Sequence, residues 1–187
     1  VAGHLASTQQ ELLGVVVGGG LLGLEAAEGL KDLGAEPTIL DVAPWLLSVE
    51  VDQGGGYAVN AQIKATGIDI ETGVYISGIN KDADGNVVSV SIADSPSEDA
   101  EIRTLPADMV VFGAGIRPND ELARDADLAL GERGGILVND ACHSSDEYIW
   151  AIGEVACVLG RTWGLVAPAN AMADAVAANL LNDNEEA

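Results

Sequence analysis

Basic side chains are what this sequence has least of: 8 lysines and arginines stand against 30 aspartates and glutamates, a formal net charge of −22. That deficit excludes nucleic acid and anionic membrane surfaces as partners, because both need a basic face. The acids read as a solvated surface, and adaptation to a high-salt host is the sharper version of the same reading. Cysteine is nearly absent too. Cys142 and Cys157 form neither a CxxC nor a CxxxxC pair, so a redox dithiol, a zinc site or an iron–sulfur site has no local support and buried inert thiols are expected. His4 and His143 are too isolated to nucleate a metal site. No apolar run approaches the roughly 20 residues of a bilayer span, and the opening residues lack a basic segment followed by an apolar one. The expectation is a cytoplasmic protein. The chain begins on Val1 rather than Met, which reads as a cut end, and residues 1–13 are expected to be a leader or the remnant of a preceding segment.

What the sequence does have is apolar content and glycine. At 48% hydrophobic residues over 187 positions there is material for the core of one large domain or one and a half. The stretch "GVVVGGGLLGLE" opens it: Gly14 to Val17 is a β-branched run short enough for a buried parallel strand. Leu21 to Leu33 then carries Leu21, Leu24, Ala27 and Leu30 at helical spacing, with Gly34 as a stop. Thr38 to Val42 is again a strand, completing a βαβ unit. Asp52 to Thr66 reads as a second helix and Ile68 to Glu71 as a third strand. Val74 to Lys81, Val87 to Ile92 and Glu101 to Leu105 form an inserted antiparallel meander, joined by a tight turn at "DADGN" and a looser one at "DSPSED". Met109 to Phe112 returns to a buried strand. Beyond "GAGIRPND" the character changes to a short helix from Glu121, small strands at Gly135 to Val138 and Tyr148 to Ile152, and a last helix over Ala169 to Leu181. A domain boundary is expected near Arg117 to Asn119.

The fingerprint Gly18-x-Gly20-x-x-Gly23 lies between a strand and a helix, the context in which this pattern binds a dinucleotide. Gly18 permits the sharp turn, Gly20 clears room for a pyrophosphate beside the backbone, and Gly23 lets helix and strand pack closely. Free N–H groups at the helix start, from Gly19, Leu21 and Leu22 onward, then face the phosphates. Asp41 closes the next strand where an acid can take both hydroxyls of the adenosine ribose, and the loop "VAPWLLSVEVD" after it has no base to hold a 2′-phosphate. That favours NADH over NADPH. Gly54-Gly55-Gly56 follows an acidic turn rather than an apolar strand and reads as a close-packing helix start. Gly113, Ala114 and Gly115 follow a strand end, at the sheet edge where open α/β folds bind ligands.

These residues resemble the FAD-dependent pyridine-nucleotide oxidoreductases with two dinucleotide domains. "GVVVGGGLLGLEAA" is similar to that family's second fingerprint, the one for NAD(P)H. "VVFGAGIRPND" resembles its crossover back to the flavin domain, and "SSDEYIWAIGEVA" its late flavin motif. The three occur in the family's order and cover nearly the whole chain. Within the family, "AGIRPNDELARDADLALGERGGILVND" and "GLVAPANAMA" are more similar to the nitrite reductase branch, of nitrate assimilation, than to rubredoxin reductases or NADH oxidases. The fold implied is α/β: a Rossmann-like NAD(P)-binding domain over 14–116, with a parallel sheet and the inserted three-stranded antiparallel meander, plus a partial FAD-domain segment over 117–187.

The resemblance also implies roles. Gly18, Gly20 and Gly23 would hold the NADH pyrophosphate and Asp41 the ribose. Glu25, as the candidate catalytic residue, would lie toward the nicotinamide, or else be a solvated helix-start acid. Gly115 and Pro118 would line the seam between nucleotide and flavin, and Gly153 and Glu154 would meet the flavin ribityl chain. The family's first fingerprint, for the ADP half of FAD, is absent, so a fragment of a larger flavoprotein reductase is expected, inactive alone. Its partners would be the nicotinamide dinucleotide and either the rest of the reductase chain or an electron acceptor, with a homodimer possible through exposed apolar surface. The alternatives are a rubredoxin, ferredoxin or NADH oxidase type of reductase, and a stand-alone nucleotide-binding module without turnover.

Overall fold

A computed structural model describes residues 11–182; His4 and most of the leader expected over 1–13 lie outside the described residues. The first strand, β1, runs Leu12–Val17, two residues earlier than the valine run alone suggests. Its valines are buried on both faces, Val15 at 1% and Val16 at 0% exposed, which is why the segment is continuously apolar instead of alternating. Strand geometry sends neighbouring side chains to opposite faces. Val16 accordingly joins Ala27, Leu30, Ile39, Leu46 and Ile68, whereas Val15 joins Leu40, Val90, Ile92 and Ala107.

Helix α1 covers Leu21–Asp32, β2 Ala35–Asp41, α2 Gln53–Ala65, β3 Asp69–Thr72 and β7 Met109–Phe112. The four strands form one sheet in the order β3-β2-β1-β7, and every pairing is parallel. β2 begins three residues before Thr38 and includes Pro37, which pairs with Gly14 of β1. Pairing of β2 with β3 begins only at Thr38, so the missing proline N–H falls outside the doubly paired stretch. α2 starts where expected because Asp52 caps it, its Oδ1 accepting from Gly55 N–H at 2.9 Å. The glycines behind that cap are a packing device. A side chain on Gly56 would run into the Trp45 indole, and the Trp45 ring meets Tyr57 edge-on with centroids 6.3 Å apart.

Strands β4 (Tyr75–Lys81), β5 (Val87–Ala93) and β6 (Ile102–Pro106) form the antiparallel meander, in that order. It covers the sheet face opposite the helices through Val90 and Ile92. In its tight turn Asp82 Oδ1 accepts from the backbones of Asp84 and Asn86, both at 2.9 Å, and the bonds from Asn86 hold its carboxyl below the ordinary aspartate range.

The chain divides into two compact units, one ending at Gly115 and the other starting at Ile116. The second has helix α3 (Glu121–Asp125), β8 (Ile136–Val138), a 3-10 turn at Gly153–Val155, β9 (Ala156–Val158), β10 (Arg161–Thr162) and α4 (Val166–Asn182). Its sheet runs β10-β9-β8, over a core of Cys142, Ala151, Ala156 and Met172. α4 starts three residues before Ala169, with Pro168 in the first turn, where its missing N–H costs nothing.

One expected strand is absent: Tyr148–Ile152 makes a single bridge, His143 to Trp150. The backbone there is already satisfied locally. Tyr148 N–H donates to Asp146 Oδ1 at 2.8 Å and Ile149 N–H to Asp146 O at 3.3 Å, so turn bonds take the start of the segment and pairing stops at the bridge, made by Ser144 N–H to Ile149 O and Ala151 N–H to Cys142 O.

Asp120, 7% exposed, organises the start of this unit. Its Oδ2 accepts from the buried Gly135 N–H at 2.8 Å, and its Oδ1 pairs with Arg124 at 3.0 Å. Replacing it leaves a buried N–H without an acceptor, which costs about 1–3 kcal/mol. Asp120→Ala is therefore expected to lower the urea midpoint of the second unit, and an unchanged midpoint in far-UV circular dichroism would count against that role.

Candidate functional site

The end of β1 and the start of α1 build the site. Gly18 has φ +109, and a β-carbon there would lie 2.5 Å from the Gly113 carbonyl oxygen; no other residue satisfies both conditions. Its N–H donates to Leu40 O at 2.8 Å, and Gly113 N–H donates to Val17 O at 2.7 Å. The ends of β1, β2 and β7 are thus tied together. Here β1 lies between β2, which follows it, and β7, which arrives after the whole meander. This is the topological switch point at which open parallel sheets bind ligands.

The four glycines of this loop play three different parts. Gly23 is buried, and a side chain on it would collide with the Gly18 carbonyl. Gly19 is enclosed: a β-carbon would strike Leu46, and its N–H donates to Asp41 Oδ2. Gly20, by contrast, has nothing within 4 Å of where a β-carbon would stand. It is the N-cap of α1, extended at φ −82 and ψ −174, and supplies no side-chain cap. Leu24 N–H bonds back to Gly20 O at 3.0 Å, so the amides of Leu21, Leu22 and Gly23 belong to the unpaired first turn of the helix. Both leucines are exposed, at 47% and 64%. The arrangement is an open backbone surface carrying the positive end of a helix dipole, suited to an anion.

Asp41 at the end of β2 is half-buried and doubly engaged. Besides Gly19, it accepts from Ala43 N–H through Oδ1 at 2.6 Å. Each oxygen keeps capacity for another donor. Glu25 lies one turn into α1, exposed, without a hydrogen bond or ion pair to any described residue. Gly113 packs on α1, where a β-carbon would come 3.2 Å from Gly23 N, and Gly115 is left-handed at φ +91 with open space beside it. Ala114 lies between them.

The sequence profile of the pyridine nucleotide-disulphide oxidoreductases matches residues 2–178. The chain belongs to that family. It is 42% identical over 170 residues to the nitrite reductase [NAD(P)H] large subunit of Klebsiella oxytoca, covering 91% of this chain and 17% of the relative. With the nitrite reductase (NADH) large subunit of Escherichia coli (strain K12) it is 40% identical over 168 residues, 90% of this chain and 19% of the relative. A FAD-dependent pyridine nucleotide-disulphide oxidoreductase from Desulfovibrio vulgaris superposes with a TM-score of 0.79 at 29% identity, over 96% of this chain and 45% of that one. The chain therefore spans about a fifth or less of the length of these two curated relatives.

The remaining candidate residues of this family member lie in the second unit. Pro118 lines a polar depression with Arg117, Arg124, Arg133 and Gly134. Gly153 opens the 3-10 turn at φ +76 with open space where a side chain would begin, and its N–H donates to Met172 Sδ at 3.3 Å. Glu154 follows it, exposed. No group of three metal-binding side chains occurs among the described residues. Both cysteines are buried and free, and burial pushes the Cys142 thiol up, away from thiolate chemistry.

Sequence reading missed the segment after β2. Leu46, fully buried, and Leu47, at φ +54, pack against the glycine loop, and Leu47 N–H donates to Gly19 O at 2.9 Å. No sequence pattern marks a leucine for a left-handed conformation.

The glycines separate into structural and open positions, and stability distinguishes them. Gly23→Ala forces a methyl into a backbone oxygen and is expected to cost about 1–3 kcal/mol. Gly20→Val, in an extended conformation with free space, is expected to change stability by less than about 1 kcal/mol. Urea denaturation of both variants checks the contrast, and equal midpoints would refute it.

Proposed function

We propose that the first unit binds NADH and that the chain is the nicotinamide-binding portion of a flavoprotein reductase feeding nitrite reduction. The observation that carries this is the cradle itself: a strand–glycine–helix turn whose one open position, Gly20, adjoins unpaired helix-start amides, with a carboxylate at the end of the next strand. In this reading the amides of Leu21, Leu22 and Gly23 hold the pyrophosphate. Asp41 accepts from the adenosine ribose hydroxyls, while its charge and the absence of any base from Val42 to Asp52 disfavour a 2′-phosphate. Glu25 lies toward the nicotinamide half, and Gly113, Ala114 and Gly115 line the nucleotide's site at the end of β7.

For FAD, the second unit supplies part of a site. Gly153, with open space beside it, and the exposed carboxylate of Glu154 fit a ribityl chain, Glu154 accepting from a hydroxyl. A Gly-x-Gly-x-x-Gly turn occurs once in the sequence, and in this reading NADH takes it, so the ADP half of FAD is assigned to the rest of the reductase. Hydride transfer from nicotinamide to flavin is chemistry that the two cofactors supply when bound, and the protein's part is to align them and keep water out. The nitrite reductase relatives support the choice of electron acceptor. A cytoplasmic setting and a homodimer complete the proposal.

Calorimetric titration with NADH and NADPH tests it. NADH is expected to bind more tightly, and Gly20→Val, which folds, is expected to lose binding of both nucleotides. Asp41→Ala also frees Gly19 N–H, so affinity for both falls. Removing one charge-assisted bond and the charge that opposes the 2′-phosphate should narrow the NADH to NADPH ratio by about tenfold or more. An unchanged ratio would remove the ribose role, and unchanged binding in Gly20→Val would remove the pyrophosphate site.

A further inference from the structure

The Gly19–Gly20 peptide carries a donor, the Gly20 N–H, at the open position of the cradle, and its orientation is set from outside the fingerprint. A trans peptide is planar with its C=O and N–H pointing in opposite directions. Fixing the Gly19 carbonyl therefore aims the Gly20 N–H, which has no acceptor among the described residues. The carbonyl is fixed by Leu47 N–H at 2.9 Å. Leu47 is left-handed at φ +54, a region that leucine avoids unless its surroundings impose it.

The surroundings that impose it come from α2 and from the turn that leads into it. Leu46, 0% exposed, donates its N–H to Asn60 Oδ1 at 3.1 Å. Trp45 is seated over Gly56 and donates its indole N–H to Val51 O at 3.3 Å. Glu50 and Val51 N–H both return to Leu47 O at 2.9 Å. Of these contacts, only the Asn60 bond joins a polar side chain of α2 to the backbone immediately before Leu47. An amide oxygen in mid-helix has no helix-forming purpose there, and here it fills the acceptor role that the Leu46 N–H needs.

We propose that Asn60 is a positioning residue for the dinucleotide site: through Leu46 and Leu47 it locks the Gly19–Gly20 peptide so that the Gly20 N–H is presented to the pyrophosphate. The role rests on reading the glycine loop as the NADH cradle. Asn60 touches no part of the nucleotide. Its effect is on pre-organisation, so that losing it lowers affinity by letting the loop sample orientations that aim the donor elsewhere.

The test uses the full chain and NADH as the probe. Asn60→Leu, similar in size without the acceptor, is expected to raise the NADH Kd about tenfold, and Asn60→Asp, which keeps an acceptor oxygen, to restore it to within about threefold of the unsubstituted chain. Loss with leucine, which fills the space, together with rescue by aspartate, which restores the acceptor, is a pair of results that a merely space-filling role would not give. Equal affinity in all three chains, or equal loss in both variants, overturns the proposal. Should Asn60→Leu fail to fold, amide exchange on the unsubstituted chain decides: NADH is expected to slow exchange at Leu46 and Leu47, and unchanged exchange there overturns the role. A chain that binds NADH in none of its forms overturns the cradle reading, and the role of Asn60 falls with it.

Discussion

A strand and a helix can meet backbone to backbone only where side chains are missing, and the whole first unit is arranged around one such meeting. The Gly18 carbonyl occupies the space that a side chain on Gly23 would need. That contact sets how closely α1 lies on β1, and so where the first turn of the helix presents its amides. It also fixes the end of β1 against Gly113, because a side chain on Gly18 would have to pass through the Gly113 carbonyl. Two stretches distant in sequence, Gly18–Gly23 and Gly113, thus converge on a patch where backbone meets backbone. Close packing tolerates little volume change, so the patch is a rigid surface, and a rigid surface of backbone donors is what an anionic group binds without reorganising it.

Rigidity there has a second source, the strand end at Asp41. Its carboxylate bonds to backbone on both sides, to Gly19 and to Ala43, and Leu47 N–H closes the same loop from the other direction. Both polar groups of Gly19 are consequently in use, while Gly20 remains open. The loop divides labour by residue: Gly18 and Gly23 for approach, Gly19 for anchoring, Gly20 for exposure. A single pattern of three spaced glycines conceals these separate demands, and the unspaced Gly19 is as constrained by Leu46 and Asp41 as the others are by backbone.

Much of this was legible in the sequence, for identifiable reasons. β1, α1 and β2 carry long, strongly patterned signals, and "DADGN" states its turn because Asp82 can accept from the backbone two and four residues on. The cradle was legible because glycine is the one residue whose absence of a side chain is visible in one letter. The second unit was harder. β9 and β10 are three and two residues long, too short to show a period, whereas Tyr148–Ile152 is rich in large apolar residues but spends its backbone on Ser144, Asp146 and Cys142. What no local pattern could reveal was the anchoring: that Asp41 grips Gly19, that Asn60 reaches Leu46, and that Leu47 is left-handed are consequences of tertiary packing.

The charge of the chain bears on the same point. A surface with a net charge of −22 repels a dinucleotide at long range, yet no lysine or arginine lies between Glu11 and Leu30 or in the loop after β2. The two facts are compatible because they act over different distances. Repulsion between exposed charges is damped beyond about 10 Å at 0.1 M salt, whereas helix-start amides act at hydrogen-bond distance, in directions fixed by the backbone. Under the proposed NADH reading, donors without net charge also leave no cation to attract the wrong phosphate, and the Asp41 carboxylate would meet a ribose hydroxyl or a phosphate with no base in the following loop to reverse the sign. In that reading a strongly acidic protein holds an anionic cofactor by geometry, and the close packing of the Gly18–Gly23 loop does the work that bases do elsewhere.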